Sequence, residues 1–115
     1  MKRQKPIQFE FVLSREQVRA RVNRFILSEV GSQFCAGDPD FDMLRKLWRI
    51  PILFVTPGFV AGQVGEAQID LKTGEIEHHT DIEQIYDRAE KLRKRHQTAI
   101  KAAFLRTGRE SFPSK

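Results

Sequence analysis

Apolar and polar positions divide this chain into alternating runs, flanked by stretches that repeat every three or four residues. Ile7, Phe9, Phe11 and Leu13 lie on one side of a period-two pattern, with Gln8, Glu10 and Val12 on the other, as in a half-buried strand. Ser14 and Gln17 then have the spacing of a capping box. A helix from Arg15 to about Val30 is expected, with Val18, Val22, Phe25, Ile26 and Val30 as its apolar stripe and Gly31 as its stop. Arg15, Arg19 and Glu29 fall outside the stripe.

The period is lost from Gly31 to Asp42, where Gly37, Asp38, Pro39 and Asp40 predict a loop. Met43 to Trp48 reads equally as a turn of helix or as the lead into a strand. Trp48 to Thr56 carries β-branched and aromatic residues on both faces and predicts a largely buried strand. Pro51 lacks an amide hydrogen, which places that strand at an edge or puts a bulge in it. A Pro-Gly loop follows and holds Phe59 and Val60. In the next strand, Gln63 to Leu71, the set Gly65, Ala67, Ile69 and Leu71 alternates with Val64, Glu66, Gln68 and Asp70. Lys72 to Gly74 turns the chain, and Glu75 to His79 pairs back. Thr80 and Glu83 form a second capping-box pair before a long helix from Asp81 to about Arg106. Ile82, Ile85, Ala89, Leu92, His96, Ala99 and Ala103 make its heptad-like stripe, widened by Tyr86, Ile100 and Phe104. Gly108 ends it.

These elements predict an α+β two-layer sandwich: an antiparallel sheet of about four strands with the first and last helices on one face. Residues 1–107 form one domain and residues 108–115 a flexible tail.

Composition narrows the class. The chain has 115 residues, 40% hydrophobic and 30% charged, with nine Phe. That suits one folded domain with an aromatic-rich core. A single cysteine, Cys35, allows no internal disulfide and points to a reducing cytoplasm. No apolar run is long enough for a membrane helix, and Gln8 and Glu10 interrupt any signal-peptide core. No membrane partner is expected on this basis.

The net charge of +5 is unevenly placed. Residues 1–24 hold seven Lys/Arg against two acids, residues 25–90 five against twelve, and residues 91–115 eight against one. Basic ends around an acidic middle can attract nucleic acid or an acidic partner.

Tests for catalytic chemistry are mostly negative. Asp38, Asp40 and Asp42 open like a calcium loop, but Met43 and Arg49 stand where Gly and Glu are required. His78 and His79 point to opposite faces of a strand, and no ligand spacing supports zinc. Cys35 sits between Phe34 and Ala36 as a small core residue would. No nucleophile elbow, phosphate loop or zinc-protease motif is present. A non-enzyme without cofactor or metal is therefore expected, with a cysteine- or histidine-based enzyme as a minor third class. Lys91, Arg93, Lys94, Arg95 and Lys101 populate the polar sides of the last helix and could track phosphates, while Glu90 and Lys94 are spaced as an i,i+4 ion pair.

Trp48, Ile50 and Pro51 give a W-x-V-P-like strand, and Ile69, Asp70, Thr73, Gly74, Glu75 and Ile76 give a hairpin close to V-D-x-x-T-G-E-V. On these residues, roughly a third of the chain, it resembles the small α+β modules of the PepSY-like group and immunity-type proteins similar to them. Gly62-Gln63-Val64-Gly65-Glu66 with Thr73-Gly74-Glu75 also resembles small prokaryotic proteins that pair G-E-V-G-E with T-G-E. The resemblance implies a non-enzymatic protein-binding module, such as an inhibitor, immunity or antitoxin-like partner. Phe59, Val60, Leu92, His96 and Ile100 are the expected partner surface, or a surface for self-association through the last helix. A nucleic-acid module built on the basic helix is the alternative.

Overall fold

In the computed structural model, which describes residues 13–102 and Leu105, Ser14 starts the first helix as its sequence requires. Its hydroxyl accepts from the Gln17 amide at 3.1 Å, and the Gln17 side chain accepts from the Ser14 amide at 2.8 Å. This helix, α1 (Arg15–Glu29), buries Val18, Val22 and Ile26 completely. Val30 caps it, and the amide of Gly31 (φ +146°) bonds back to the Ile26 carbonyl. The expected strand at Ile7 lies outside the described residues, except for Leu13, which packs partly buried against the core.

Five antiparallel strands follow: β1 (Phe34–Ala36), β2 (Asp40–Asp42), β3 (Leu47–Thr56), β4 (Phe59–Asp70) and β5 (Ile76–His79). The order is β1-β3-β4-β5, with β2 also paired to β3. β1 and β2 occupy the stretch read from sequence as a loop. Three residues each are too few to show a period. Residues 43–46 form a turn leading into β3.

β3 is central rather than an edge and carries no bulge at Pro51, which pairs regularly with Glu66, so neither expectation for the proline holds. Its carbonyl accepts from the Gly37 amide at 2.7 Å. A residue's N–H and C=O leave an antiparallel strand on the same side, so the missing Pro51 donor faces the interruption between β1 and β2 and no ladder bond is lost elsewhere.

Ile50, Ile52 and Phe54 of β3 face α1, and with Ala67 and Ile69 of β4 they build the core. β4 is irregular at two points, where the register against β3 shifts between Ile52 and Leu53 and between Phe54 and Val55. The extra residues are Val64 and Ala61, and both turn inward. This corrects the strict alternation expected for β4: Val64 is fully buried alongside Gly65, not on the water face. Bulges bend a strand and increase its twist, and here they curl the sheet toward the second helix.

That helix, α2 (Ile82–Arg95), is shorter than its apolar stripe implied. His96 leaves helical geometry (φ −105°, ψ 22°), and helical conformation resumes over residues 97–102. Asp81 is the N-cap and its side chain makes no capping bond. Thr80 does not cap either: its hydroxyl oxygen accepts from the Glu66 amide at 2.9 Å, tying the end of β5 to β4. Ile85 and Ala89 are buried on the sheet, and the Tyr86 hydroxyl donates to the Val30 carbonyl at 2.5 Å, joining the two helices. Both helices therefore cover one face, as the two-layer reading expected. No described helix is long and apolar enough to cross a membrane.

Polar residues of α1 close the free edge of β1. The Ala36 amide donates to Asn23 Oδ1 at 2.8 Å and the Ala36 carbonyl accepts from Arg19 at 3.2 Å. Arg15 donates to the Pro39 carbonyl and Arg21 to the Gly74 carbonyl at 2.6 Å. An edge whose backbone groups are occupied is no template for another chain.

On the uncovered face, Arg49 bridges Glu66 at 2.8 Å and Asp42 at 3.2 Å, and Gln68 donates to Glu66 at 3.0 Å. The amide of Arg45 and then the Arg49 guanidinium hold the Asp42 carboxyl below the usual carboxylate range, against opposing desolvation. Glu66 and then Asp42 raise Arg49. A depressed carboxyl contributes stability that is complete above its unfolded value, about pH 4, and is lost as pH falls through the folded value. Arg49→Met should therefore lower the urea midpoint at neutral pH, and its deficit against the native protein should shrink below about pH 4. A deficit constant across that range would show that the pair makes no electrostatic contribution.

Candidate functional site

The Pro57–Gly58 turn joins β3 to β4, with Gly58 at φ +93°, a conformation side chains resist. Phe59 is already paired, opposite Thr56, and the Thr56 hydroxyl donates to its carbonyl at 3.3 Å. From there its ring reaches His96 at the end of α2, edge-on with centroids 6.0 Å apart. One strand position further on, Val60 is 54% exposed and pairs with Val55 of the uncovered face.

Leu92 completes the cluster. A Cβ on Gly62 would stand 3.0 Å from Leu92 Cδ1, so the absence of a side chain there is what lets Leu92 settle on the β4 backbone. Phe59, Leu92, His96 and Ile100 are each half-buried. The structure thus brings Phe59, Leu92 and His96 to one end of the sheet and leaves Val60 apart from them.

Cations surround this end. Arg88 donates to the carbonyl of the bulged Val64 at 3.4 Å and is exposed beyond it. A shallow groove of about 200 Å³ is lined by Gln63, Arg88, Lys91, Leu92 and Arg95. The basic residues are not equivalent. Lys91 pairs with Asp87 at 3.4 Å. Arg93 pairs with Glu90 and lies over the Phe54 ring at 5.5 Å. Glu90 is therefore engaged one residue earlier than the Lys94 partner expected from spacing. Lys94, Arg95 and Lys101 form no ion pair among the described residues and are exposed.

The heptad reading of the last helix is altered by the same geometry. Ile85 and Ala89 are buried against β4, while Ile82 and Leu92 pack partly buried on the core. The first four stripe positions thus serve the fold and leave no continuous seam for a second helix.

His78 and His79 separate as a strand demands. His79 stacks on Phe25 at 4.7 Å and its Nδ1 lies 2.9 Å from the Thr80 carbonyl oxygen, while His78 is exposed. Cys35 is a half-buried thiol on β1, paired with Leu53. Among the described residues no three of His, Cys, Asp and Glu are grouped to hold a metal ion.

The sequence groups Phe59 with Val60 in a loop and Leu92 with His96 and Ile100 on a helix stripe, without bringing the two groups into contact. Their meeting depended on two β-bulges and a helix stop, neither of which has a local signature here. Comparison with known protein families, with curated proteins and with solved structures gives no match for this chain.

Proposed function

We propose that this chain is a non-enzymatic binding module that holds another protein at the end of the sheet where the Pro57–Gly58 turn meets α2. The observation that carries this reading is the half-buried cluster of Phe59, Leu92 and His96, with the exposed cations Arg88 and Arg95 lining the groove beside Leu92. An apolar centre within a polar rim is the usual anatomy of a protein interface, and aromatic anchors dominate such interfaces energetically. These cations select a partner segment with an apolar side chain beside carboxylates. An inhibitor, immunity or antitoxin-like role agrees with this chemistry, and no catalytic step is required of any residue.

Capture of a partner from the native host, with and without nuclease, tests the proposal. A stoichiometric protein should persist after nuclease and at moderate salt. Phe59→Asp should weaken its binding by about tenfold or more, with the unfolding midpoint recorded alongside because Phe59 also packs internally. Lys94→Glu with Arg95→Glu should weaken it less.

Nucleic-acid binding is the second reading, favoured by the exposed Lys94, Arg95 and Lys101, which form no ion pair among the described residues. It predicts the reverse: material lost on nuclease treatment, affinity falling steeply with salt, and a uniform weakening in the Lys94→Glu, Arg95→Glu variant.

A further inference from the structure

At the other end of β3 the turn between β2 and β3 presents Met43 and Leu44, 77% and 95% exposed. Leu44 is the most exposed large apolar side chain among the described residues. A side chain in this position gains nothing from the fold, so its exposure is unexplained by packing.

The turn is nevertheless held firmly. The Lys46 amide donates to the Asp42 carbonyl at 2.8 Å and the Arg45 amide to Asp42 Oδ1 at 3.1 Å. Asp42 Oδ2 is fixed in turn by Arg49 at 3.2 Å. Lys46 adopts φ +57°, a left-handed conformation rare outside glycine, and its carbonyl accepts from the Leu71 amide at 3.2 Å. Two apolar side chains are thus displayed at a fixed point.

Exposed cations adjoin them along the chain. Arg45 and Lys46 follow Leu44 in the turn, and the Leu71–Lys46 bond brings the exposed Lys72 to the same end. The nearby carboxylates are partly engaged: Asp42 by Arg49, and Asp70 by the amides of Lys72 and Thr73. Asp40 and Glu75 are exposed and stand further from the tip in sequence.

We infer that the Met43–Leu44 turn is a peripheral docking point for an anionic lipid surface. Met43 and Leu44 would enter the boundary between headgroups and acyl chains, while Arg45, Lys46 and Lys72 would meet lipid phosphates. A tip this exposed would need a matching pocket on a protein partner. A fluid interface needs none, and flexible side chains such as Met adapt to it. Apolar insertion combined with attraction to anionic lipid is what gives peripheral proteins useful membrane affinity. This inference is independent of the proposed protein-binding end, and it departs from the expectation, read from the sequence, of no membrane partner.

The test is cosedimentation of the full chain with vesicles of phosphatidylcholine alone and of phosphatidylcholine with phosphatidylglycerol. The native protein should pellet with the anionic vesicles only. Met43→Ser with Leu44→Ser should lower that binding by about tenfold or more and leave the unfolding midpoint unchanged, since both side chains are exposed. Leu44→Trp should shift its added emission to the blue as vesicles are titrated in. Equal binding by the native protein and the serine double variant would assign adsorption to the basic ends of the chain and overturn the inference. So would bound Leu44→Trp protein whose emission does not move. Absence of binding to either vesicle would also overturn it and make the tip a contact for protein.

Discussion

Phe54→Ala is expected to lower the unfolding free energy by about 3–5 kcal/mol and the thermal midpoint by on the order of 15–20 °C. Phe54 is 2% exposed on the covered face of β3. Its ring meets Phe34 of β1 at 5.5 Å, and the Arg93 guanidinium of α2 lies 5.5 Å above it. Its partner across the ladder is Gly62, which supplies no side chain. Truncation therefore opens a void bordered by β1, a bulged part of β4 and α2, where nothing nearby can collapse to fill it. The loss should extend beyond stability, because Gly62 also carries Leu92 of the candidate site. Partner affinity should fall together with the unfolding midpoint. Equilibrium urea unfolding checks the first effect, and a loss below about 1 kcal/mol would show that the site repacks.

Gly37→Ala should cost about 1–3 kcal/mol by overpacking, a large effect for one methyl group at a bend between two short strands. A Cβ at this position would lie 2.8 Å from Pro51 Cγ and 3.1 Å from Leu53 Cδ1. Leu53 can rotate away, but the proline ring is fixed to its own backbone. The clash and the Gly37–Pro51 hydrogen bond therefore compete for one geometry. A double-mutant cycle separates them. With Pro51→Ala in place, Gly37→Ala should be tolerated substantially better, with a coupling above about 0.5 kcal/mol. Additive effects would place the cost in the backbone of the bend instead.

The helices and strands were legible where a pattern ran long enough to be read. Ser14 and Gln17 announced α1, and its apolar spacing identified Val18, Val22 and Ile26 as core. The Thr73-Gly74 turn announced the β4–β5 hairpin. Three features were hidden. β1 and β2 are single three-residue segments in a Gly- and Asp-rich stretch, and their pairing is fixed by β3, a non-local cause. Val64 was assigned to water because alternation assumes an unbroken ladder, and a bulge shifts every assignment before it. The last helix was drawn too long because Ala99 and Ala103 continue the stripe, although His96 leaves helical geometry. For the candidate site, the residue types were readable but their meeting was not. The exposure of Met43 and Leu44 is not legible either: the stretch before Trp48 reads equally as a turn of helix or as the lead into a strand, and neither displays both side chains.

The ten residues of β3 run from the Met43–Leu44 turn to the Pro57–Gly58 turn. At about 3.3 Å per residue they set the two ends roughly 30 Å apart. β3 thus acts as a stiff spacer, hydrogen-bonded on both sides along most of its length. An occupant at one end neither shields nor competes with an occupant at the other. If both proposals hold, a protein gripped beside Phe59 would be carried at a fixed height above whatever surface Leu44 enters, and the molecule would be an adaptor whose reach is the length of a single strand.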